Sequence, residues 1–418
     1  MPAPKASSGK QPRGGWLSGS LVLLTVISLL QDAASELIYP LLPLLITGVL
    51  AAPPVVLGLI EGFADATTGV TRYIAGRWSD RVGRKVFIGA GYGLAAAGKV
   101  LVAAATIWPV VLMGRTVDRF GKGIRSAPRD ALIALSVPRS ALGRAFGFHR
   151  AGDSLGAVIG PLLALWILAA TNGDLHEALW WAVIPATASA LLVIFVRDRR
   201  TPASAATPTT TMPAQRCSAS PRTSLKRSPL PRKFWLVAGA LFCFSMLNFS
   251  DALVLLRISD LGFSIEQVVL GYALFNTVYA VAAYPAGSLA DRWPRTRVYG
   301  IGLLAFGIGY LGLGLVAGGP LTFVLFALYG LFPAFTDGVG KAWISGLVPE
   351  DHVGRAQGVF QMLTSSSLLL SGLWAGLLWN AGIGAGTLPL LVSGSVGLLG
   401  ALALLVYSVS TKRSPSEH

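Results

Sequence analysis

The sequence predicts an all-α membrane protein whose twelve transmembrane helices form two pseudo-symmetric six-helix bundles. Runs of about 20 apolar residues, the length that crosses a bilayer, recur from end to end. Of the 418 residues 53% are hydrophobic and only 13% are charged, about half the charge of an ordinary soluble domain. The chain also repeats itself once at a fixed shift, and no segment alternates with the period of a barrel strand. The apolar runs lie near 17–47, 55–78, 86–106, 109–135, 143–170, 178–196, 234–257, 266–290, 298–318, 321–347, 354–380 and 386–408. They divide into bundles at 1–197 and 233–410, joined by 198–232 and followed by a tail at 411–418.

The first span places Asp32 and Glu36 one turn apart, on a face shared with Thr25, Ser28, Tyr39 and Pro43. The second puts Glu61, Asp65 and Arg72 within roughly 40° of one another. On the fourth, Arg115, Asp118, Arg119, Lys122, Arg125, Arg129 and Asp130 fall within an arc of roughly 140°, opposite an apolar face. A charge facing lipid near the bilayer centre costs about 2.5–3.5 kcal/mol on a lenient scale, so five bases would cost roughly 12–18 kcal/mol. The stripe therefore faces protein, water or a solute, and it predicts a polar pathway. On the fifth span His149 and Asp153 share a face with Gly156 and Gly160, while Arg150 points about 100° away. The acids of spans one, two and five can neutralise the bases of span four. They do so either as a permanent network that sets helix packing or as part of an ion or substrate route.

Residues 198–232 are rich in Pro, Ser, Thr and basic side chains and cannot build a core. They read as a flexible basic cytoplasmic linker, either a solvated tether or a segment that meets anionic lipid head groups. The second bundle is milder in character. Span seven offers Asn248 and Asp251, and span ten has Asp337 and Lys341 one turn apart, expected as an internal ion pair. Span eleven aligns Gln357, Gln361, Thr364 and Ser371 on one face. Coupling and charge recognition therefore belong to the first half, and substrate shape to the second.

Orientation follows from the basic residues. Lys5, Lys10 and Arg13 precede the first span, Arg81, Arg84 and Lys85 follow the second, and Arg139 and Arg144 separate the fourth from the fifth. Arg292, Arg295 and Arg297 follow the eighth span, and Lys412 and Arg413 the twelfth, whereas the connections 48–54 and 381–387 carry no Lys or Arg. By the positive-inside rule both termini are cytoplasmic, in a multi-pass protein of the inner (plasma) membrane. Much of the +15 net charge is this topology signal, so no nucleic-acid partner is expected. The first apolar run is too long for a cleavable signal. Cys217 falls in a cytoplasmic loop and Cys243 in a span, so no structural disulfide is expected.

Gly76, Asp80, Arg81 and Arg84 recur as Gly287, Asp291, Arg292 and Arg295, a shift of 211 residues. The same shift relates GRAFG at 143–147 to GRAQG at 354–358, Pro138 to Pro349 and Tyr73 to Tyr284. Six spans return the chain to the same side, so the repeat is parallel, as in secondary transporters with a midplane site between their halves. With these motifs the chain resembles the major facilitator superfamily over essentially its whole length. That family's signature between helices two and three is Gly, three residues, Asp, a base, one residue, Gly, Arg and a base. Residues 76–85, GRWSDRVGRK, match it throughout, while the second copy departs at Pro294 and Thr296. The resemblance implies alternating access, with a conformational latch at Gly76, Asp80, Arg81, Gly83 and Arg84, echoed by Gly287, Asp291 and Arg292. It also implies a part in proton coupling for Arg115, because many members place an arginine there on helix four. The run GAVIGP at 156–161 resembles part of the family's antiporter signature. The same small residues also allow tight helix packing.

The proton-coupling candidates are Asp32, Glu36, Glu61, Asp65, Arg115, Asp118, Arg119 and Asp153. Asp32 or Asp65 is expected to carry the proton, under the control of Arg115 or Arg119. The substrate-cavity candidates are Tyr39, Arg72, Lys122, Arg125, Arg129, His149, Arg150, Asn248, Asp251, Gln357 and Gln361. No Walker sequence is present, so a proton gradient is the expected energy source, with no cofactor. Four histidines and two cysteines lack ligand spacing for a soft metal, and no metal is expected. A hard-cation site from Asp32, Glu36, Glu61 and Asp65 is the alternative. His149 and Asp153 have no nucleophile beside them, so no enzyme activity is expected. The expected function is proton-coupled export of a small-molecule substrate by a monomer in the lipid bilayer. Uptake or exchange of an anionic solute is the alternative, favoured by the bases of span four. A non-transporting receptor would need neither the repeat nor the charged interior.

Overall fold

The computed structural model describes residues 17–137, 142–196, 230–349 and 352–410, and all regular structure among them is helical. The first bundle holds α1 (Gly19–Ile38), α2 (Pro54–Val82), α3 (Arg84–Ala103), α4 (Trp108–Ser136), α5 (Leu142–Ala170) and α6 (Leu175–Leu192). The second begins with α7 (Arg232–Ser245), α8 (Asp251–Asp260), α9 (Ile265–Arg292) and α10 (Arg295–Leu315). It continues with α11 (Leu321–Tyr329), α12 (Leu331–Ser345), α13 (Val353–Leu377) and α14 (Thr387–Ser410). These helices supply the twelve expected spans. Most of the expected linker, and the tail at 411–418, lie outside the described residues, and α7 starts at Arg232, just inside the expected linker.

Two spans differ from expectation, because the seventh and the tenth are each made of two helices. The seventh unwinds between Ser245 and Asp251. Lipid offers no partner to a freed carbonyl, so such a break needs donors from neighbouring helices. Here α13 supplies them: Trp374 Nε1 donates to the Met246 carbonyl at 3.1 Å, and Ser371 Oγ to that of Asn248 at 3.1 Å. Ser250 caps the N-terminus of α8 by accepting from Ala252 N at 3.3 Å. The tenth span steps at Gly330, where a Cβ would strike the Phe275 carbonyl. The first span is also irregular beyond α1, with a tight turn at Tyr39–Leu41 and a widened one at Leu44–Val49. Pro40 and Pro43 each remove a helix donor there.

The repeat shift carries α2 onto α9, α3 onto α10 and α5 onto α13 within a few residues at each end, so the sequence repeat is a structural one. Within the first bundle α1 packs on α5 and α6, and α4 lies between α2 and α3. Within the second, α10 packs on α12 and α14, and α9 on α11 and α12. Between bundles, α2 lies along α13 and α5 meets α9. At the end away from the chain termini α2 and α13 touch backbone to backbone: a Cβ on Gly58 would meet the Gly372 carbonyl, and one on Gly376 would meet Val55. Eight helical spans among the described residues are long and apolar enough to cross a membrane by themselves. The spans that fall short are α2, α4, the broken α7–α8 and α13. These carry Glu61, Asp65, Arg72, the charged stripe of α4, Asn248, Asp251 and Gln361.

Candidate functional site

Between the bundles lies a cavity of about 350 Å³, beginning near Asp65 at mid-length of α2 and reaching Arg72 toward the termini. The first bundle lines it with Asp65, Thr68 and Arg72 of α2 and Arg119 and Lys122 of α4. The second lines it with Asn248, Asp337 and Lys341, the amide and hydroxyls of Gln361 and Thr364, and the rings of Tyr299, Phe332 and Phe360. At its deep edge Arg119 Nε stands 3.6 Å from Asp65 Oδ1. The cavity lies on the termini side of contacts that shut the opposite end. Tyr39 and Ser250 share a hydrogen bond between their hydroxyls at 3.0 Å, and Tyr272 donates to Glu36 at 2.6 Å. The rings of Tyr39 and Tyr272 stack with centroids 5.3 Å apart.

The stripe on α4 does not face the cavity as a whole. Arg119 and Lys122 reach it, whereas Arg115, Asp118 and Arg125 turn into the first bundle and are buried. Arg115 forms a two-pronged ion pair with Glu61, Nε to Oε1 and Nη2 to Oε2, both at 2.8 Å. Its Nη1 lies 3.6 Å from Asp118, which also accepts from Lys99 at 3.0 Å. Two acids thus face two bases, all nearly inaccessible, and this balance is what lets charges sit in a dry interior. Arg125 lies over the Tyr92 ring, 4.4 Å from its centre. Lys99 escaped the sequence reading, although it is the single charge within the apolar run of α3 between Lys85 and the end of the helix. Tyr299, Phe332 and Phe360 also went unnoticed, since aromatic residues in a span read first as packing.

The remaining candidates fall into separate groups. Arg129 pairs with Asp130 at 3.1 Å and donates to Ser28 at 2.8 Å. His149 lies 3.4 Å from the Thr25 hydroxyl and 3.7 Å from Asp153, while Arg150 is exposed on the other side of α5. Gly156 and Gly160 seat α5 against α1 at Asp32 and Glu36, so the small residues do serve close packing. Asp251 accepts from Tyr329 at 2.6 Å, and Gln357 donates to the Lys341 carbonyl, leaving both off the cavity wall. The expected Asp337–Lys341 ion pair is not closed within 4.0 Å; Asp337 accepts instead from Tyr279 at 3.3 Å. The alternative hard-cation cluster is not assembled either, because Glu61 belongs to Arg115, Asp65 to Arg119 and Glu36 to Tyr272. In the signature loop Gly83 has φ +116°, a conformation that excludes other side chains. The side chains of Asp80, Arg81 and Asp291, and the packing around Gly76, lie outside the described residues. Gly287 and Arg292 are exposed near the termini end.

The repeat reveals how the two bundles differ. Shifted by 211 residues, Glu61, Lys99, Arg115 and Asp118 become Tyr272, Tyr310, Phe326 and Tyr329. These also cluster: Phe326 and Tyr329 stack at 6.2 Å, and Tyr310 meets Tyr329 at 5.1 Å. One bundle fills this place with compensated charge and the other with rings and hydroxyls.

A profile of the Major Facilitator Superfamily matches residues 24–267 and 252–418. An uncharacterised MFS-type transporter of Methanocaldococcus jannaschii is 31% identical over 371 residues, covering 87% of this chain and 89% of its own. A protein named multidrug resistance protein MdtH, of Edwardsiella ictaluri, is 26% identical over 96% of both chains. Among solved structures, a peptide transporter, POT, superposes with a TM-score of 0.75 at 15% identity, over 96% of each chain. The nucleoside transporter NupG does so with 0.72 at 15% identity, over 93% of this chain and 98% of its own. At that identity the last two speak for the fold alone.

Proposed function

The chain belongs to the major facilitator superfamily of membrane transporters, and we propose that it exports a small organic compound in exchange for protons. The reading rests on the Asp65–Arg119 pair, set on the wall of a cavity that both bundles line. An adjacent arginine favours an ionised carboxylate, and desolvation without one favours the protonated form. Rocking of the bundles that separates the pair would therefore take up a proton at Asp65, and rejoining it would release that proton, which is what coupling requires. Of the two carboxylates singled out in the sequence, Asp65 has this placement and Asp32 lies on α1 beside α5. Export is supported by the relatives named for multidrug resistance and by the GAVIGP run of α5.

With the termini in the cytoplasm of a cell bounded by its inner membrane, the cavity faces inward. The chain works as a monomer, and Asp80, Arg81, Gly83 and Arg84 act as the latch that engages when the bundles rock the other way. Proteoliposomes enclosing a pH-sensitive dye test the coupling. Asp65→Asn is expected to abolish solute-driven proton movement, and Asp32→Asn to leave it in place. Full coupling in Asp65→Asn would overturn the assignment.

A further inference from the structure

We propose that the cavity binds organic anions: Arg72, Lys122 and Lys341 hold the charged oxygens of a carboxylate or phosphate ester, and Phe332 and Phe360 receive its apolar body. This rests on the transporter reading and names the substrate class of the same site. Four cationic side chains line the cavity against two carboxylates. Only Arg119 among the four has an ion pair within 4.0 Å, to Asp65, so that acid is engaged. Asp337, the other acid, accepts from Tyr279 and stands one turn from Lys341 on α12. Arg72, Lys122 and Lys341 have no ion pair or side-chain hydrogen bond among the described residues, and Arg72 Nε is buried without a partner.

Cations that lack a close ion pair in a cleft between membrane helices are costly, and the cost is relieved by a ligand that brings the opposite charge. An arginine fork with two lysines suits the several oxygens of a carboxylate or phosphate. A cationic solute would find one carboxylate outside any ion pair, Asp337, against three cations that have no ion pair within 4.0 Å among the described residues. The volume of about 350 Å³ accommodates a small aromatic or aliphatic acid. The three bases also come from both bundles, α2 and α4 on one side and α12 on the other. A bound anion therefore links the bundles across the cleft and favours their approach, since a ligand shifts the equilibrium toward the state with which it makes more contacts.

Four ligands of one shape and different charge provide the test: benzoate, phenyl phosphate, benzamide and benzamidine, titrated calorimetrically into the full chain in nanodiscs. Binding of benzoate or phenyl phosphate, with benzamide and benzamidine silent, is the expected result, and the stronger of the two anions identifies the head group. Lys341→Gln, an exposed side chain whose loss leaves the fold intact, should weaken anion binding about tenfold, the loss of one charged hydrogen bond. Lys341→Glu should abolish it and admit benzamidine. Three results would each overturn the proposal: no anion binding at millimolar concentration, benzamidine binding more tightly than both anions, or anion binding indifferent to Lys341→Gln. Any of them leaves proton-coupled export standing. Anion binding with no accompanying proton movement in proteoliposomes would instead remove the export reading and keep this one.

Discussion

Arg115, Glu61, Asp118 and Lys99 illustrate what a charge needs in order to live inside a membrane bundle. Each acid is in contact with a base, and the Arg115–Glu61 pair uses two parallel hydrogen bonds. The strength of such a group lies in its completeness. Arg115→Met leaves Glu61 buried and unpaired and is expected to cost about 3–5 kcal/mol, measured as lost thermal or denaturant resistance in detergent. Adding Glu61→Leu to Arg115→Met should recover most of that loss. If the double variant is as unstable as the single one, the pair is not what carries the penalty. The helical wheel of α4 showed that its charges share a face but not which neighbour each meets. Lys99 was legible as a lone charge in an apolar run, yet its partner Asp118 comes from another helix and was not.

Among the helices, α2 and α13 form the closest contact between bundles, and glycines make it possible. Gly58 and Gly372 bring backbones together at the end of the molecule away from the termini. A leucine at position 58 has no space there, and Gly58→Leu is expected to hold that end apart. Spin labels at Asn172→Cys and Ile383→Cys, with Cys217 and Cys243 replaced by serine, report the separation. A distance distribution unchanged from the parent would show that the glycine contact does not govern closure. The spans themselves were largely readable, because the length of an apolar run decides whether a helix can cross a bilayer. The break at Met246–Ser250 was not readable. It is tolerated only because Trp374 and Ser371, more than a hundred residues away, supply the missing donors.

Across the whole molecule, Tyr39 and Ser250 meet although they stand 211 residues apart, which is the repeat shift itself. Positions related by a two-fold axis can touch each other only near that axis, so this hydrogen bond lies at the pivot of the pseudo-symmetry. Together with Glu36–Tyr272 it ties the bundles at one end while the cavity lies toward the other. Tyr39→Phe removes about 1 kcal/mol of hydrogen bonding from the closed form of that end. The population with the end open should rise about fivefold, read from the long-distance component of the same spin-label pair. No change would place the restraint on closure elsewhere.

From the chain alone came the number of spans, the internal repeat and the conclusion that charge must point inward. Those follow from apolar length, residue spacing and the cost of exposing charge to lipid, each a property of a segment or of two segments compared. Only the folded molecule decided that the α4 stripe divides, Arg115, Asp118 and Arg125 serving the interior of one bundle and Arg119 and Lys122 the cavity between both. Folding also decided that Arg72, Lys122 and Lys341 line one cavity with no ion pair closed within 4.0 Å among the described residues. A helix determines the direction in which a side chain leaves its axis; the helix it meets is set by how all twelve spans pack.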